Sequence, residues 1–386
     1  MSDNRIIYVA DIFDPLTTRS STQFVNISFL NYLSNNCEKL FFVGIYDDLS
    51  NKELIKAFLT EKRINFVLVK SDCFVEKSSN FKKIFFYEKL FLKRKFFGFN
   101  LKLPSELFCF NRLIVSVPSL EAGFIGSYIS NKYKIKEIIS VWTDVIAYNF
   151  LDSLNDIGWK RKKLIRFESF LIKDSTKCFY LGDPQKNFQQ KAYPKYSNKM
   201  FSYFIPSCFP ALDTSRKNKP TLSALYFGNV NPTYRNLEQL FKSGKYINKC
   251  KIQVIGTAYT GKKPVSYENI DFVILNKRIC NIDNVLEIES RGDISICFLN
   301  SKGFSLPGKL FYFTNTKRPI LVIKDGKYAD EIENYLKKFN RFIFCDNNYV
   351  SIANAINTIT MNYENMCNVD VSEFSSKNAL SFLLMD

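Results

Sequence analysis

The chain has 386 residues, with 54 Lys and Arg, 37 Asp and Glu and no histidine. A single hydrophobic core usually stops growing at about 250–300 residues, so this length predicts two domains. The missing imidazole excludes Ser-His-Asp and Cys-His catalysis, so any chemistry must use carboxylates, hydroxyls, backbone dipoles or cations. The net charge of +17 indicates a polyanionic partner: nucleic acid, an anionic membrane face or a phosphorylated substrate.

The ten cysteines are scattered singly, and no two have CxxC spacing. Without histidine to complete a ligand set, buried reduced thiols are a better interpretation than a structural zinc site. The first strand follows a short polar start without a basic leader, and no run of about 18 apolar residues occurs. We therefore expect a cytoplasmic protein with no signal peptide and no membrane span.

In the first half, apolar β-rich runs alternate with segments of helical periodicity. Continuous apolar strands separated by helices favour a parallel sheet covered on both faces. The tripeptide Gly182-Asp183-Pro184 is interpreted as a turn. The predicted elements are strands 5–11, 40–46, 65–70, 113–118, 137–143 and 177–181 and helices 21–35, 52–61, 121–132 and 161–173.

Three prolines surround a polar stretch in 206–220, which we interpret as the interdomain linker. The alternation then restarts and continues to a helix near 349–363, with a last helix at 373–384. The sequence thus predicts an N-terminal domain, 1–212, and a C-terminal domain, 213–370, with the segment 371–386 packing back on the first. The expected fold class is α/β: two Rossmann-like, doubly wound parallel-sheet domains facing each other across a cleft.

In such sheets ligands bind beyond the carboxyl ends of the strands. The loop after the first strand holds Thr18 and Arg19 and leads into a helix, where it could present hydroxyls, amides and a cation to a phosphate or sugar; ordinary capping is an equally good interpretation. Asp144 follows another strand end, where a carboxylate could bind a substrate hydroxyl or act as a base. After a third, Gly228 permits close backbone approach, and Arg235 could bind a diphosphate in bidentate fashion.

The stretch 285–323 carries the most specific pattern. A helix is followed by a strand at 292–299, by Pro307-Gly308-Lys309 leading into a second helix, and by a strand that starts with Pro319-Ile320-Leu321. This order and spacing resemble the C-terminal domain of GT-B glycosyltransferases, particularly the retaining type of bacterial polysaccharide and lipopolysaccharide assembly. The resemblance extends to 226–228, 235–236, 254–256 and 167–169.

The resemblance implies a nucleotide-sugar donor on the second domain, with Arg235 and Lys309 at its diphosphate. It implies no protein base, no metal and no cofactor beyond the donor substrate, because the leaving diphosphate can take the acceptor proton while cations stabilise the developing charge. The expected donor contacts are Gly228, Asn229, Arg235, Ser305, Lys309 and Tyr312. The expected acceptor side comprises Thr18, Arg19 and Asp144, and the expected catalytic residues are Arg235, Lys309 and Asp144.

The sequence departs from this family at one point. The family usually carries two glutamates eight positions apart around the Pro-x-Lys step, and this chain has Phe304 and Tyr312 there. The second glutamate normally binds the nucleotide ribose, for which Tyr312 offers a single hydroxyl. The departure leaves the donor nucleotide and the stereochemistry open, and it keeps a non-catalytic scaffold in glycan assembly as an alternative.

The segment 81–99 interleaves aromatic and basic residues. Such a segment suits the interface of an anionic membrane, and its position in the first domain fits a growing, lipid-linked surface glycan as acceptor at the inner membrane face. A core-covering helix with a solvated lysine face is the plain alternative. A nucleic-acid surface is the third and weakest interpretation, because no recognised nucleic-acid motif is present.

Overall fold

The computed structural model describes residues 4–11, 21–47, 51–71, 80–92, 101–117, 120–147, 158–206, 221–229, 235–257, 268–275, 282–301, 303–366 and 371–385. The chain divides into two compact units. Unit 1 takes its described residues from 4–204 and from Leu380 onward, and unit 2 from Ile205–Ala379. The sequence-based boundary between 212 and 213 falls on residues outside the described ranges.

Unit 1 is built on a parallel sheet whose central strands are buried on both faces. In its first strand Ile6, Ile7, Tyr8 and Val9 are all inaccessible to solvent, as expected for continuous apolar runs in parallel sheets. The elements are β1 (Arg5–Ala10), α1 (Ser21–Asn36), β2 (Lys39–Tyr46), α2 (Lys52–Glu61), β3 (Asn65–Lys70), α3 (Asn80–Leu92), β4 (Arg112–Ser116), α4 (Leu120–Tyr133), β5 (Glu137–Trp142), α5 (Gly158–Asp174), β6 (Lys177–Leu181), α6 (Gly182–Ala192) and β7 (Met200–Tyr203).

The strands of this sheet lie in the order β3-β2-β1-β4-β5-β6-β7, and every neighbouring pair is parallel. The register pairs Ile6 with Leu40 on one side and with Arg112 on the other. The chain direction across the sheet reverses between β1 and β4, which makes that place the topological switch point of a doubly wound fold.

Unit 2 repeats this plan around a sheet of order β10-β9-β8-β11-β12-β13, again parallel throughout. Its switch point lies between β8 and β11, where Ala224 pairs with Ile294. The elements are β8 (Leu222–Asn229), α7 (Glu238–Ser243), β9 (Cys250–Thr257), β10 (Ile270–Leu275), α8 (Ile282–Ser290), β11 (Ile294–Phe298), α9 (Lys309–Tyr312), β12 (Ile320–Lys324), α10 (Ala329–Lys337), β13 (Phe342–Asp346), α11 (Tyr349–Met361) and α12 (Tyr363–Met366).

Two local predictions were wrong, and one strand was missed. Gly182-Asp183-Pro184 opens α6 rather than forming a plain turn, because proline in a first helical turn sacrifices no intrahelical hydrogen bond. The edge strand β7 was not predicted. The expected helix 373–384 is broken into a 3-10 turn, Ser372–Phe374, the short helix α13, Ser376–Leu380, and a second 3-10 turn, Ser381–Leu383.

The last of these turns belongs to unit 1 and contributes to its core. The Phe382 ring lies 4.4 Å from that of Phe179 and 5.3 Å from that of Tyr203, measured between ring centroids. Arg112 donates a hydrogen bond to the Leu383 carbonyl at 3.4 Å. The C-terminal residues thus cover one face of the unit 1 sheet.

The described part of the basic aromatic segment 81–99 is the helix α3. Its Phe91 ring packs on Phe124, Phe167 and Phe170 at centroid distances of 5.2–5.8 Å, so one face of α3 covers α4 and α5. On the opposite face Phe85 is 66% exposed. In the part of the chain that the structure describes, no helix is both long and apolar enough to cross a membrane.

Candidate functional site

The donor residues predicted in unit 2 meet at the switch point between β8 and β11. Gly228 lies near the end of β8, Arg235 follows that strand, Asn300 comes two residues after β11, and Lys309 opens α9. Because the carboxyl ends of both strands point to the same edge, the side chains converge where ligands bind in open α/β sheets.

Gly228 allows two side chains to approach the strand end. Its φ of +154° belongs to a region that residues with a Cβ rarely adopt, and a Cβ placed there would lie 3.7 Å from Lys309 Cε and 3.8 Å from the Tyr226 hydroxyl. The neighbouring Asn229 is the last residue of β8, and its side chain lies outside the described part of the structure. Glycine at this position therefore leaves backbone, ammonium and phenol close together.

The Arg235 guanidinium is partly buried and has neutral partners. Its Nη2 donates to Asn300 Oδ1 at 3.3 Å, and Tyr226 is hydrogen-bonded to the same guanidinium. Its Nε is buried without a partner among the described residues, none of which supplies a carboxylate to it. Burial lowers the pKa of Arg235, but Tyr226 and Cys297 raise it, and the net shift is upward.

Lys309 is held by an acidic partner. Its Nζ lies 2.9 Å from Glu289 Oε1, whose side chain is only 3% exposed, and it also donates to the Phe227 carbonyl. An ammonium has three N–H donors. These two contacts leave one donor that can reach a ligand at the strand ends.

The buried Cys297 thiol, on β11, interacts electrostatically with Arg235, Lys309 and Glu289. Burial raises the pKa of Cys297 to about 11, while Arg235 and Lys309 lower it and Glu289 raises it further. The two cations and the carboxylate therefore belong to one electrostatic cluster.

The backbone beside Arg235 is fixed from the next strands. Asp325 accepts hydrogen bonds from the backbone of Asn236 and the side chain of Asn347, and burial raises the pKa of its carboxyl. Asn347 Nδ2 in turn donates to the Asn236 carbonyl at 3.3 Å. The segment carrying Arg235 is thereby tied to the ends of β12 and β13.

The two positions at which the sequence departs from the family pattern lie in the core. Phe304 packs edge-to-face on Tyr328 at 5.8 Å, and the Tyr312 side chain is 4% exposed. Ser305 is partly exposed, and its carbonyl accepts from Asn300 Nδ2 at 3.1 Å. Donor contacts by Ser305 and Tyr312 stay predictions.

Of the three residues predicted on the acceptor side, Asp144 lies in the described part of the chain and belongs to unit 1. Asp144 is exposed just beyond β5. Burial and the Asp144 charge together raise the pKa of Tyr203, which places this carboxylate within electrostatic reach of β7. Thr18 and Arg19 lie outside the described residues.

Five contacting residues were not among the site residues predicted from the sequence: Tyr226, Glu289, Asn300, Asp325 and Asn347. Asn300 and Asp325 directly follow apolar strand ends, which is the signal that identified Asp144, so the same rule could have found them. Glu289 is one of several acidic residues of α8, and no local signal distinguishes it.

The loop that carries Asp144 is anchored by a buried carboxylate. Glu168, on α5, has no solvent exposure. It accepts from the Ala147 amide at 2.8 Å and from the Tyr193 hydroxyl at 3.3 Å. Burial raises the pKa of Glu168 to about 7, although these hydrogen bonds oppose the shift.

Stability should consequently depend on pH through Glu168. The Glu168 carboxyl ionises near pH 4.5 in the unfolded chain and near pH 7 in the folded chain. Between these two pH values the folded chain therefore binds one proton more than the unfolded chain. Its contribution to the free energy of unfolding should fall by about 3 kcal/mol as pH rises through this window and stay constant above it. In urea denaturation, the free energy of unfolding should therefore fall more steeply between pH 4.5 and 7 in the wild type than in Glu168→Gln. A pH profile that Glu168→Gln shares with the exposed-site control Glu106→Gln would contradict the assignment.

No family model matches the sequence, and no curated protein matches it either. Solved structures do resemble the fold. HepE of Anabaena, in complex with UDP and glucose, covers 98% of this chain and 94% of its own at 9% identity, with a TM-score of 0.55. UGT89C1 of Arabidopsis thaliana, complexed with UDP, covers 99% of both chains at 8% identity, with a TM-score of 0.54.

The N-terminal domain of trehalose-6-phosphate phosphatase of Candida albicans is also similar, at 10% identity and a TM-score of 0.60, covering 100% of this chain and 96% of its own. Together with the two parallel sheets, these likenesses define the class: the chain has the two-domain α/β fold of GT-B glycosyltransferases. The predicted α/β class, with two Rossmann-like, doubly wound parallel sheets, is confirmed.

Proposed function

We propose that the protein is a glycosyltransferase that moves a sugar from a nucleotide-activated donor to an acceptor hydroxyl. The observation that carries this proposal is the Arg235 guanidinium. It is partly buried at the switch point of unit 2, with neutral partners in the described structure. A desolvated cation without a counter-charge is costly in free energy. The diphosphate of a nucleotide-sugar donor, bound to a GT-B fold, would be such a counter-charge. HepE and UGT89C1, with which the chain shares its fold, were crystallised with UDP.

In the proposed reaction the acceptor oxygen forms a bond to the anomeric carbon while the bond from that carbon to the diphosphate oxygen breaks. The electron pair passes to the diphosphate, which also takes the acceptor proton. Arg235 and Lys309 stabilise the charge that develops on the leaving group. Gly228, Asn229, Ser305 and Tyr312 are the further proposed donor contacts, and no metal or additional cofactor is part of the proposal. The retaining outcome rests on the sequence resemblance alone.

We further propose that Thr18, Arg19 and Asp144 line the acceptor side, and that the acceptor is a growing, lipid-linked surface glycan at the inner membrane face. Support comes from the outer face of α3, where exposed Phe85 lies beside exposed Lys89, a combination suited to anionic lipid headgroups. Co-sedimentation with vesicles containing phosphatidylglycerol tests this contact. Protein that stays in the supernatant at low salt would refute it.

The donor proposal predicts a large and selective nucleotide effect. UDP or UDP-glucose at about 100 times its dissociation constant should stabilise the wild type by about 2.7 kcal/mol. Arg235→Ala should lower the affinity for UDP about 10- to 100-fold, because a charge-assisted hydrogen-bonding partner is lost. Thermal unfolding and isothermal titration calorimetry measure both effects.

Arg291→Ala is the matched control, since Arg291 is an exposed arginine of the same unit that pairs only with Glu287 in the described structure. Equal UDP affinity in Arg235→Ala and the wild type would reject the donor site. A folded wild type that binds no nucleoside diphosphate would favour a non-catalytic scaffold, and affinity for nucleic acid that falls steeply with salt would favour a nucleic-acid-binding protein.

A further inference from the structure

The surroundings of Arg235 differ from those of the buried arginines. Arg112 forms an ion pair with Glu137 at 2.6 Å. Arg318 donates to the Ser290 carbonyl at the end of α8, and Arg341 donates to the carbonyls of Thr316 and Arg318 in the segment before β12. Arg235 instead lies between a phenol and a carboxamide, Tyr226 and Asn300. Its positive charge is therefore the one in this cluster that no described acidic group balances, because Glu289 pairs with Lys309.

We propose that Tyr226 and Asn300 are positioning residues that hold the Arg235 guanidinium in a neutral cradle, so that the diphosphate of the donor becomes its counter-charge. This inference rests on the proposed function and deepens it. If this is correct, the affinity for a nucleoside diphosphate requires an uncharged side chain at position 300 and the hydroxyl of Tyr226.

Both ends of the Asn300 amide form hydrogen bonds. Oδ1 accepts from Arg235 at 3.3 Å, and Nδ2 donates to the Ser305 carbonyl at 3.1 Å. The side chain is 7% exposed, so few water molecules could replace either bond. Asn300 thus links the guanidinium to the segment 303–308, which leads directly into Lys309.

Tyr226 approaches the guanidinium from β8. Its ring is fixed by edge-to-face packing on Phe298 at 5.5 Å, and its hydroxyl lies 3.8 Å from the Cβ position of Gly228. Burial raises the pKa of Tyr226, so the hydroxyl stays protonated and neutral. Phenol and amide together orient the guanidinium without cancelling its charge.

Asn300→Asp is the sharpest test, because it keeps the shape of the side chain and adds a charge. The new carboxylate would pair with Arg235, so the affinity for UDP should fall about 10- to 100-fold in isothermal titration calorimetry. Asn300→Ala, which removes both hydrogen bonds of the Asn300 amide without adding charge, should lose clearly less. Equal losses in the two variants would overturn the neutral cradle.

The stability of the ligand-free variants separates this inference from the proposed function. Pairing with Arg235 should give Asn300→Asp a higher unfolding midpoint than Asn300→Ala. If the wild type bound no UDP but this order held, the proposed function would be wrong, whereas the neutral contact between Asn300 and Arg235 would stand. A midpoint for Asn300→Asp at or below that of Asn300→Ala would overturn the cradle itself.

Tyr226→Phe tests the second residue, with Tyr363→Phe as its matched control. The Tyr363 hydroxyl is also buried in unit 2, but it donates to the Asp293 carbonyl at 3.1 Å, at the amino end of β11. Both variants should lose a similar amount of stability, whereas only Tyr226→Phe should weaken UDP binding, about 3- to 10-fold. Equal UDP affinities in both variants would exclude Tyr226 from the cradle.

Discussion

Replacing Arg341 with methionine should lower the free energy of unfolding of unit 2 by about 3 kcal/mol or more. Arg341 is 5% exposed. Its Nη2 donates to the carbonyls of Thr316 at 2.5 Å and Arg318 at 2.8 Å, with a longer contact of 3.4 Å to the carbonyl of Phe313. Methionine keeps much of the apolar stem but removes the donor to the Thr316 and Arg318 carbonyls, and each unsatisfied buried acceptor costs about 1–3 kcal/mol. The Phe313 carbonyl keeps the amide and the hydroxyl of Thr316 as donors.

The effect should be confined to unit 2, because every one of these contacts lies within it. Calorimetry of the full chain should show the transition of unit 2 at a lower temperature and that of unit 1 unchanged, provided that the units unfold separately. Arg291→Met removes an exposed arginine whose described partner is four residues away on the same helical segment, and it should cost well under 1 kcal/mol. Similar shifts in both variants would contradict the role of Arg341.

The strands were predictable because burial on both faces leaves a direct trace in the sequence. The apolar run 177–181, for example, coincides with β6, in which residues 178–181 are all buried. The failures have a common cause, which is that local composition competes with tertiary packing. The strand β7 contains an exposed phenylalanine, Phe201, between buried Met200 and Tyr203, and its pairing with β6 is visible only in the folded unit.

The candidate site was predictable in part, for a different reason. Arg235 and Lys309 stand where a strand end and a family pattern coincide, so sequence alone could nominate them. Their partners are distant in sequence: Arg235 meets Asn300 across 65 residues and Lys309 meets Glu289 across 20. The charge balance of a site depends on such contacts between residues distant in sequence. It could therefore be read from the structure but not from the sequence.

Lys309→Met should have two separable effects, a loss of stability and a loss of nucleotide affinity. The substitution leaves Glu289 buried without the Lys309 ammonium. Breaking a buried ion pair from one side typically costs about 3–5 kcal/mol. Because the Lys309 side chain is 29% exposed, solvent screening favours the lower end of this range. The UDP affinity should fall about 10-fold or more through loss of a charge-assisted donor.

The double variant Lys309→Met/Glu289→Gln distinguishes the two effects. Removing both charges should restore most of the lost stability, because no unpaired carboxylate is left in the core. UDP binding should remain weak, because the ammonium is still missing. The exposed pair Arg291 and Glu287 provides the control cycle, with a coupling energy of at most about 1 kcal/mol. If the double variant regained wild-type UDP affinity, Lys309 would not be a donor ligand and its role would be to neutralise Glu289. If it regained no stability, the unpaired Glu289 carboxylate would not be the cause of the loss in Lys309→Met.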